Sequence, residues 1–225
     1  MSQDKIGLAL EMRQVGKTFP GTIAVDSVDF EVYAGEVHAL VGENGAGKST
    51  LMKMLAGSFD DYTGQIFIND REVSLHSPSV AKGYGIGMIY QELSLAKPLS
   101  IAENILAGHL PRKGRFIDRA AMHSEAKRLM ARVGLDLDPD LPIEDISQHE
   151  AQLVEIAKVL GNNPCILVMD EPTRALSREE VEPLFAIIAV LKKRGLATVY
   201  LSPHLPEIFR VADRVPVMPD GNKAA

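Results

Sequence analysis

Between Val37 and Leu55 the chain reads V-H-A-L-V-G-E-N-G-A-G-K-S-T-L-M-K-M-L, and no other stretch narrows the possible folds as far. Val37 to Val41 is a short apolar run of the kind that forms a buried strand. Gly42-Glu43-Asn44-Gly45-Ala46-Gly47-Lys48-Ser49 matches G-x-x-x-x-G-K-S/T at every fixed position. Thr50 to Leu55 continues as a helix-forming apolar stretch. Strand, glycine loop and helix stand in the order of a phosphate-binding loop. A glycine-rich turn before an ordinary helix is the bland alternative, and the correct flanks on both sides weigh against it.

The residue types suit a triphosphate. Gly42, Gly45 and Gly47 let the backbone bend tightly round an anion with no side chain in the way. The N–H groups of roughly residues 45 to 49 then point inward at a helix N-terminus. The candidate nucleotide-binding residues are therefore Gly42, Glu43, Asn44, Gly45, Ala46, Gly47, Lys48, Ser49 and Thr50. Lys48 reaches the β- and γ-phosphates, and the Ser49 hydroxyl is a Mg²⁺ ligand.

A second stretch fits the first. Cys165 to Met169 is a five-residue apolar run, followed by Asp170 and Glu171. Ligands of open α/β sheets bind at the C-terminal ends of the strands. Asp170 is placed to hold Mg²⁺ and Glu171 to polarise an attacking water. An acidic strand-to-loop turn is common in any α/β protein, so this pair gains its meaning from the glycine loop.

With 225 residues and 46% hydrophobic content, the chain is long enough for one core and a subdomain. Its net charge of −6 argues against a general nucleic-acid surface. The single cysteine, Cys165, permits no internal disulfide, and the six histidines show no metal-ligand spacing. The N-terminus lacks a signal-peptide pattern, and no apolar run is long enough to cross a membrane. A soluble cytoplasmic protein is expected.

Local patterns sketch the rest. Leu8 to Val32 reads as strands broken by a turn at Pro20-Gly21. Phe19, beside that turn, is either a base-stacking aromatic or a plain core residue. Gly64 to Asn69 and Ile86 to Tyr90 read as further strands, the second leading into Gln91. Ser100-x-x-Glu103 is a capping box. Residues 92–146 are expected to be mostly helical, with Met122, Ala126, Leu129, Met130 and Val133 on one face and a stop at Gly134. A second helix follows Ser147, and a third runs from Ser177 to about Lys193 despite Pro183. Leu196 to Leu201 and Val215 to Met218 read as the last strands, with Pro216 marking an edge.

Taken together, these segments resemble the nucleotide-binding domain of ABC transporters, closest to the first ATPase half of bacterial monosaccharide importers. The resemblance rests on G-E-N-G-A-G-K-S-T-L-M-K at 42–53, I-Y-Q-E-L at 89–93 and S-I-A-E-N-I at 100–105. It rests equally on V-E-I-A-K-V-L at 154–160, M-D-E-P-T-R-A-L-S at 169–177 and E-I-F-R-V-A-D-R-V at 207–215. It implies an α/β fold: a P-loop NTPase (RecA-like) core with an antiparallel β subdomain and an inserted α-helical subdomain. Residues 1–225 would form a single ATP-binding domain, its core at about 1–91 and 162–225 and its helical subdomain at about 92–161. Phe19 then matches the aromatic that stacks on adenine. Gln91 matches the loop glutamine that senses γ-phosphate and metal, and Ser147 matches the signature serine offered to a partner's ATP. The implied activity is Mg-ATP hydrolysis coupled to monosaccharide uptake. The implied partners are a second ATPase half or subunit, transmembrane permease subunits and, indirectly, a periplasmic sugar-binding protein, with no nucleic acid. The implied location is cytoplasmic, peripheral on the inner face of the cell membrane through the permease.

Two departures from the family pattern stand out. The signature reads Ile146-Ser147-Gln148-His149-Glu150, with His149 and Glu150 where a small residue and glutamine are usual. The family's switch histidine falls on Pro203, with His204 one residue later as the remaining catalytic candidate. The alternative reading is accordingly a dimerising or regulatory module that binds ATP and hydrolyses it poorly. A soluble ABC-type ATPase of nucleic-acid repair is a third reading, disfavoured by the charge and by residues 89–105.

Overall fold

The computed structural model describes residues 7–42 and 45–216. The chain divides into two compact units. The first comprises residues 1–88, 164–171 and 188–225; the second comprises 89–163 and 172–187.

The first unit holds two four-stranded sheets. In one, β1 (Leu8–Phe19) pairs antiparallel with β2 (Thr22–Tyr33) and with β4 (Thr63–Ile68), which pairs with β5 (Arg71–Val73). Gly21 takes φ 82° in the turn the sequence marks, and Asn69-Asp70 takes φ 49° and 61° between β4 and β5. The other sheet has the order β3 (Val37–Leu40), β10 (Ala197–Leu201), β9 (Ile166–Asp170), β6 (Ile86–Ile89). Here β3, β10 and β9 run parallel. Val37–Leu40 and Ala197–Leu201 are buried at every position. That is why they read as continuous apolar runs rather than alternating ones. Leu51, Met52 and Leu55 of α1 (Lys48–Leu55) join Leu10, Met12, Val28 and Phe30 of the first sheet and Leu40, Val168 and Val199 of the second in one core.

The parallel sheet also buries an ionisable group. His38 on β3 lies edge-on to Phe30, 4.8 Å between ring centroids, and neither ring nitrogen has a hydrogen-bond partner. Glu36 Oε1 is 3.4 Å from Nδ1. Burial, with a smaller contribution from Arg214, pushes the His38 pKa down from 6.5 to about 4. The fold therefore holds this imidazole neutral while the unfolded chain protonates it. Stability is complete above pH 6.5 and drains away as the pH falls toward 4, by roughly 3 kcal/mol for such a shift. Denaturant titrations across that window should show His38→Leu losing this slope. An unchanged slope would rule out His38 as its source.

In the second unit, α3 (Ile101–Ile105), α4 (Arg119–Arg132) and α5 (Gln148–Leu160) pack on one another. Each opens on a side-chain cap: Ser100 and Ser147 in full capping boxes, and Asp118 accepting from the Ala121 N–H. Gly134 ends the α4 region with φ 69°. Buried Asn104 accepts from the Ala96 N–H and donates to three carbonyls, fixing the loop ahead of α3. Residues 92–146 are less helical than expected. Gly108, Pro111 and Gly114 punctuate them, and a small hairpin of β7 (Arg112–Lys113) and β8 (Phe116–Ile117) stands between α3 and α4. Two shorter helical pieces escaped the sequence patterns: α2 (Pro78–Gly83) in the first unit and a 3₁₀ turn at Ile143–Asp145 in the second.

α6 (Arg178–Lys193) continues through Pro183, and α7 (Leu205–Val211) follows β10. The expected final strand is not formed at Val215 and Pro216, and Met218 lies outside the described residues. This segment instead lends carbonyls to the edge of β3: Ala39 N–H donates to Arg214 and Val41 N–H to Pro216. Asp213 N–H donates back to the Val37 carbonyl, and at Pro216 the segment only accepts, so the N–H that proline lacks is not needed there. Among the described residues, no helix is long and apolar enough to cross a membrane.

Candidate functional site

The glycine loop joins the end of β3 to the start of α1. Gly45 and Gly47 take φ 97° and 86°, a region that strains any residue with a Cβ. At Gly47 a Cβ would also sit 2.3 Å from the Ala24 carbonyl oxygen, so even alanine is excluded without moving the loop. Gly47 is the N-cap of α1, and the N–H groups of the first turn face away from the helix body. Among the described residues, no acidic side chain lies in that first turn, and Lys48 and Ser49 begin it.

The parallel register brings distant residues beside this loop. Leu201 of β10 pairs with both Leu40 of β3 and Asp170 of β9, so three strand ends finish level. Gly42, Gly45, Gly47, Lys48, Ser49 and Thr50 from the loop, Asp170 and Glu171 after β9, and Leu201, Ser202 and Pro203 after β10 line one open depression. Lys48 Nζ donates to the Gly42 carbonyl at 2.6 Å. Burial pushes its ammonium below the ordinary lysine range, and the charges of Glu171 and then Asp170 pull it back. Burial raises the Asp170 carboxyl above its usual range, Glu171 adds to this, and Lys53 and Lys48 oppose it. Two carboxylates and a lysine thus share a partly desolvated space, and the Asp170 carboxylate is easier to keep charged when a cation stands near it.

Glu171 has an unusual backbone. It takes φ 48°, and its N–H donates to the Leu201 carbonyl at 3.0 Å. A left-handed glutamate is held there by surrounding structure, a form of strain that concentrates at functional sites. The bond to Leu201 ties the turn after β9 to the end of β10.

The other predicted residues are placed as follows. Ala46 is buried in the core and does not line the depression, and Glu43 and Asn44 lie outside the described residues. Phe19 ends β1 with its ring edge-on to Phe59 at 5.5 Å, and buried Lys17 Nζ lies over both rings while pairing with Asp61. Gln91, just after β6, and Ser147, the N-cap of α5, are exposed residues of the second unit. His204 is the N-cap of α7. Its N–H donates to Ser202 Oγ, and it is not among the residues lining the depression. Pro203 is.

Ser202 was missed by sequence reasoning. It is buried, its hydroxyl donates to Glu207 Oε2 at 3.0 Å, and Tyr200 donates to the same oxygen at 3.2 Å. This knot fixes the chain direction as it leaves β10. The only signal available was a serine at the end of an apolar run.

In the second unit the signature segment is closed on itself. Ser147 Oγ accepts the Glu150 N–H at 3.2 Å, and Glu150 Oε2 accepts the Ser147 N–H at 2.7 Å. The helix start that would meet an anion already carries a carboxylate.

A phosphate-binding loop between a parallel strand and a helix, with carboxylates at the end of a nearby strand, defines a P-loop nucleotide-binding fold. Solved structures agree on that fold: a nucleotide-free ATP-binding cassette from an ABC transporter superposes with a TM-score of 0.85, at 24% identity, covering 96% of this chain and 89% of the other. A dimeric bacterial ABC transporter cassette gives 0.79, at 22% identity, covering 96% of both chains. The family model described as ABC transporter matches residues 25–174, and the chain belongs to that family. Among curated proteins, a ribose import ATP-binding protein of Rubrobacter xylanophilus is 47% identical over 96% of this chain. An arabinose import ATP-binding protein of Escherichia coli is 44% identical over 94% of it. The chain spans only 44% and 42% of those two relatives' lengths.

Proposed function

We propose that this chain is a single ABC-type ATP-binding domain of a sugar importer, coupling Mg-ATP binding and hydrolysis to uptake of a monosaccharide. The observation that carries the ATP site is the convergence of Lys48 and Ser49 with Asp170 and Glu171 at one depression. Support for a sugar comes from the names of the ribose and arabinose import proteins it resembles. ATP lies with its phosphates on the loop amides of roughly residues 45 to 49 and on Lys48, and Phe19 stacks on the base. Ser49 and Asp170 would hold Mg²⁺, and the raised Asp170 carboxyl is a group that a cation returns to its charged form. Gln91, in the second unit, is a further candidate ligand only by the family resemblance. Bound Mg²⁺ supplies charge neutralisation to the phosphate oxygens. Glu171 orients the attacking water and accepts its proton.

The partners in this reading are a second ATPase half, permease subunits in the membrane and, through them, a periplasmic sugar-binding protein. The chain then works in the cytoplasm, peripheral on the inner face of the membrane, without nucleic acid. A hydrolysis-impaired role for its own site is favoured by Pro203 in the depression. A different ATPase half is favoured as partner by Glu150, which sits where a second ATP would need a free helix start.

Calorimetry paired with single-turnover assays tests the reading. The expected result is ATP binding that requires Mg²⁺, with turnover that stays slow alone and rises only with a complementary ATPase half. Folded protein that binds no ATP overturns the site, and a fast ATP-driven homodimer overturns the asymmetric pairing.

A further inference from the structure

The β7–β8 hairpin has no role in the site just described. It is two residues wide on each side, Lys113 faces Phe116, Arg112 faces Ile117, and Gly114-Arg115 makes the turn. Gly114 takes φ 64°, which a tight two-residue connection needs at that position. Phe116 is 80% exposed and Ile117 48%. Arg112, Lys113 and Arg115 are exposed as well, so three cations sit within four residues of a chain whose net charge is −6. The nearest acid in sequence, Asp118, is engaged as the cap of α4.

The pairing decides what such a tip suits. Residues directly opposite on an antiparallel pair share a face. Each face of this hairpin therefore carries one cation and one apolar side chain, and neither face is a clean apolar surface for packing on another protein. A bilayer interface accommodates this mixture, because apolar ends enter the acyl boundary while long basic side chains reach the headgroups. Cytoplasmic loops of membrane proteins carry an excess of Lys and Arg, so a permease loop repels such a tip and anionic headgroups attract it.

We infer that the Arg112–Ile117 hairpin is a lipid contact that inserts Phe116 and Ile117 into an anionic membrane surface. The inference draws on the proposed peripheral location only for its setting, since binding to vesicles is measured on the chain alone. Each basic residue near an anionic surface strengthens binding about fivefold, so the three together give roughly 100-fold preference for anionic over zwitterionic lipid. The apolar pair adds a salt-resistant component.

The test is co-sedimentation of the whole chain with vesicles of equal parts phosphatidylglycerol and phosphatidylethanolamine, and with phosphatidylcholine vesicles. Binding is expected to the first and to be at least about tenfold weaker to the second. Phe116→Ser with Ile117→Ser should cut binding to the anionic vesicles, and Arg112→Gln, Lys113→Gln and Arg115→Gln together should abolish the lipid preference. Thermal melting and ATP affinity of both variants serve as folding controls. Failure of ATP binding in every form would overturn the nucleotide site and leave the lipid result standing. Wild-type protein that ignores anionic vesicles, or a Ser double variant that binds them as well as wild type, overturns the lipid contact. So does self-association of the chain that depends on Phe116 in place of vesicle binding.

Discussion

Replacing Pro203 by histidine, with a complementary ATPase half present, is expected to raise ATP hydrolysis about 10²- to 10³-fold. Charge develops on the transferring γ-phosphoryl group, and each prepositioned donor at that point lowers the barrier. Pro203 lines the depression at the end of β10, and proline offers neither a side-chain donor nor a backbone N–H. His204 stands next to it and does not line the depression. Its N–H is bonded to Ser202 Oγ, and it occupies the N-cap position of α7 with no side-chain capping bond. A histidine at 203 inherits a backbone path already fixed by the Tyr200–Glu207–Ser202 knot. Pro203→His and His204→Ala should be measured side by side in single-turnover assays. The expected pattern is a large gain from the first and little change from the second. A wild-type rate that is substantial and collapses in His204→Ala would make His204 the working group and refute the assignment to Pro203.

Lys48→Ala is expected to weaken Mg-ATP binding by about 10²-fold or more, with the protein still folded. Hydrogen bonds from a charged donor are worth more than neutral ones, and the loss is larger where water is partly excluded. Lys48 is in such a place: burial depresses its ammonium, and it already reaches across the loop to the Gly42 carbonyl. Its removal also leaves Asp170 and Glu171 with less positive charge nearby, which disfavours a polyanion beside them. Lys48→Arg is not a rescue, because a planar fork cannot occupy the space of a compact ammonium inside a tight loop. Calorimetry against Mg-ATP, with thermal melting as the folding control, reads the effect. Unchanged affinity in folded Lys48→Ala would remove this loop from the nucleotide site.

Much of the site is local and therefore legible in a sequence. The glycine loop needs its backbone conformation at consecutive positions, so the requirement is written into consecutive residues: Gly45 and Gly47 adopt the positive φ their positions demand. The capping boxes at Ser100 and Ser147 are local for the same reason, since cap and partner are three residues apart. The expectation for 92–146 failed where local cues were mixed. Within it, Pro111 and Gly114 frame a hairpin whose short strands carry no periodic signal.

The sequence by itself determined that a triphosphate loop follows a buried strand, that two carboxylates end another, and that the chain resembles an ABC transporter ATPase. Only the tertiary structure decided which other residues stand beside that loop. β10 lies between β3 and β9, and its register ends all three strands level, so Leu201, Ser202 and Pro203 arrive next to a loop more than a hundred residues earlier. Strand order and register are set by packing and by pairing between segments far apart in the chain, and no local pattern records them. The same holds for the left-handed turn of Glu171, held by the Leu201 carbonyl, and for the neutral His38, whose burial comes from neighbours on other strands.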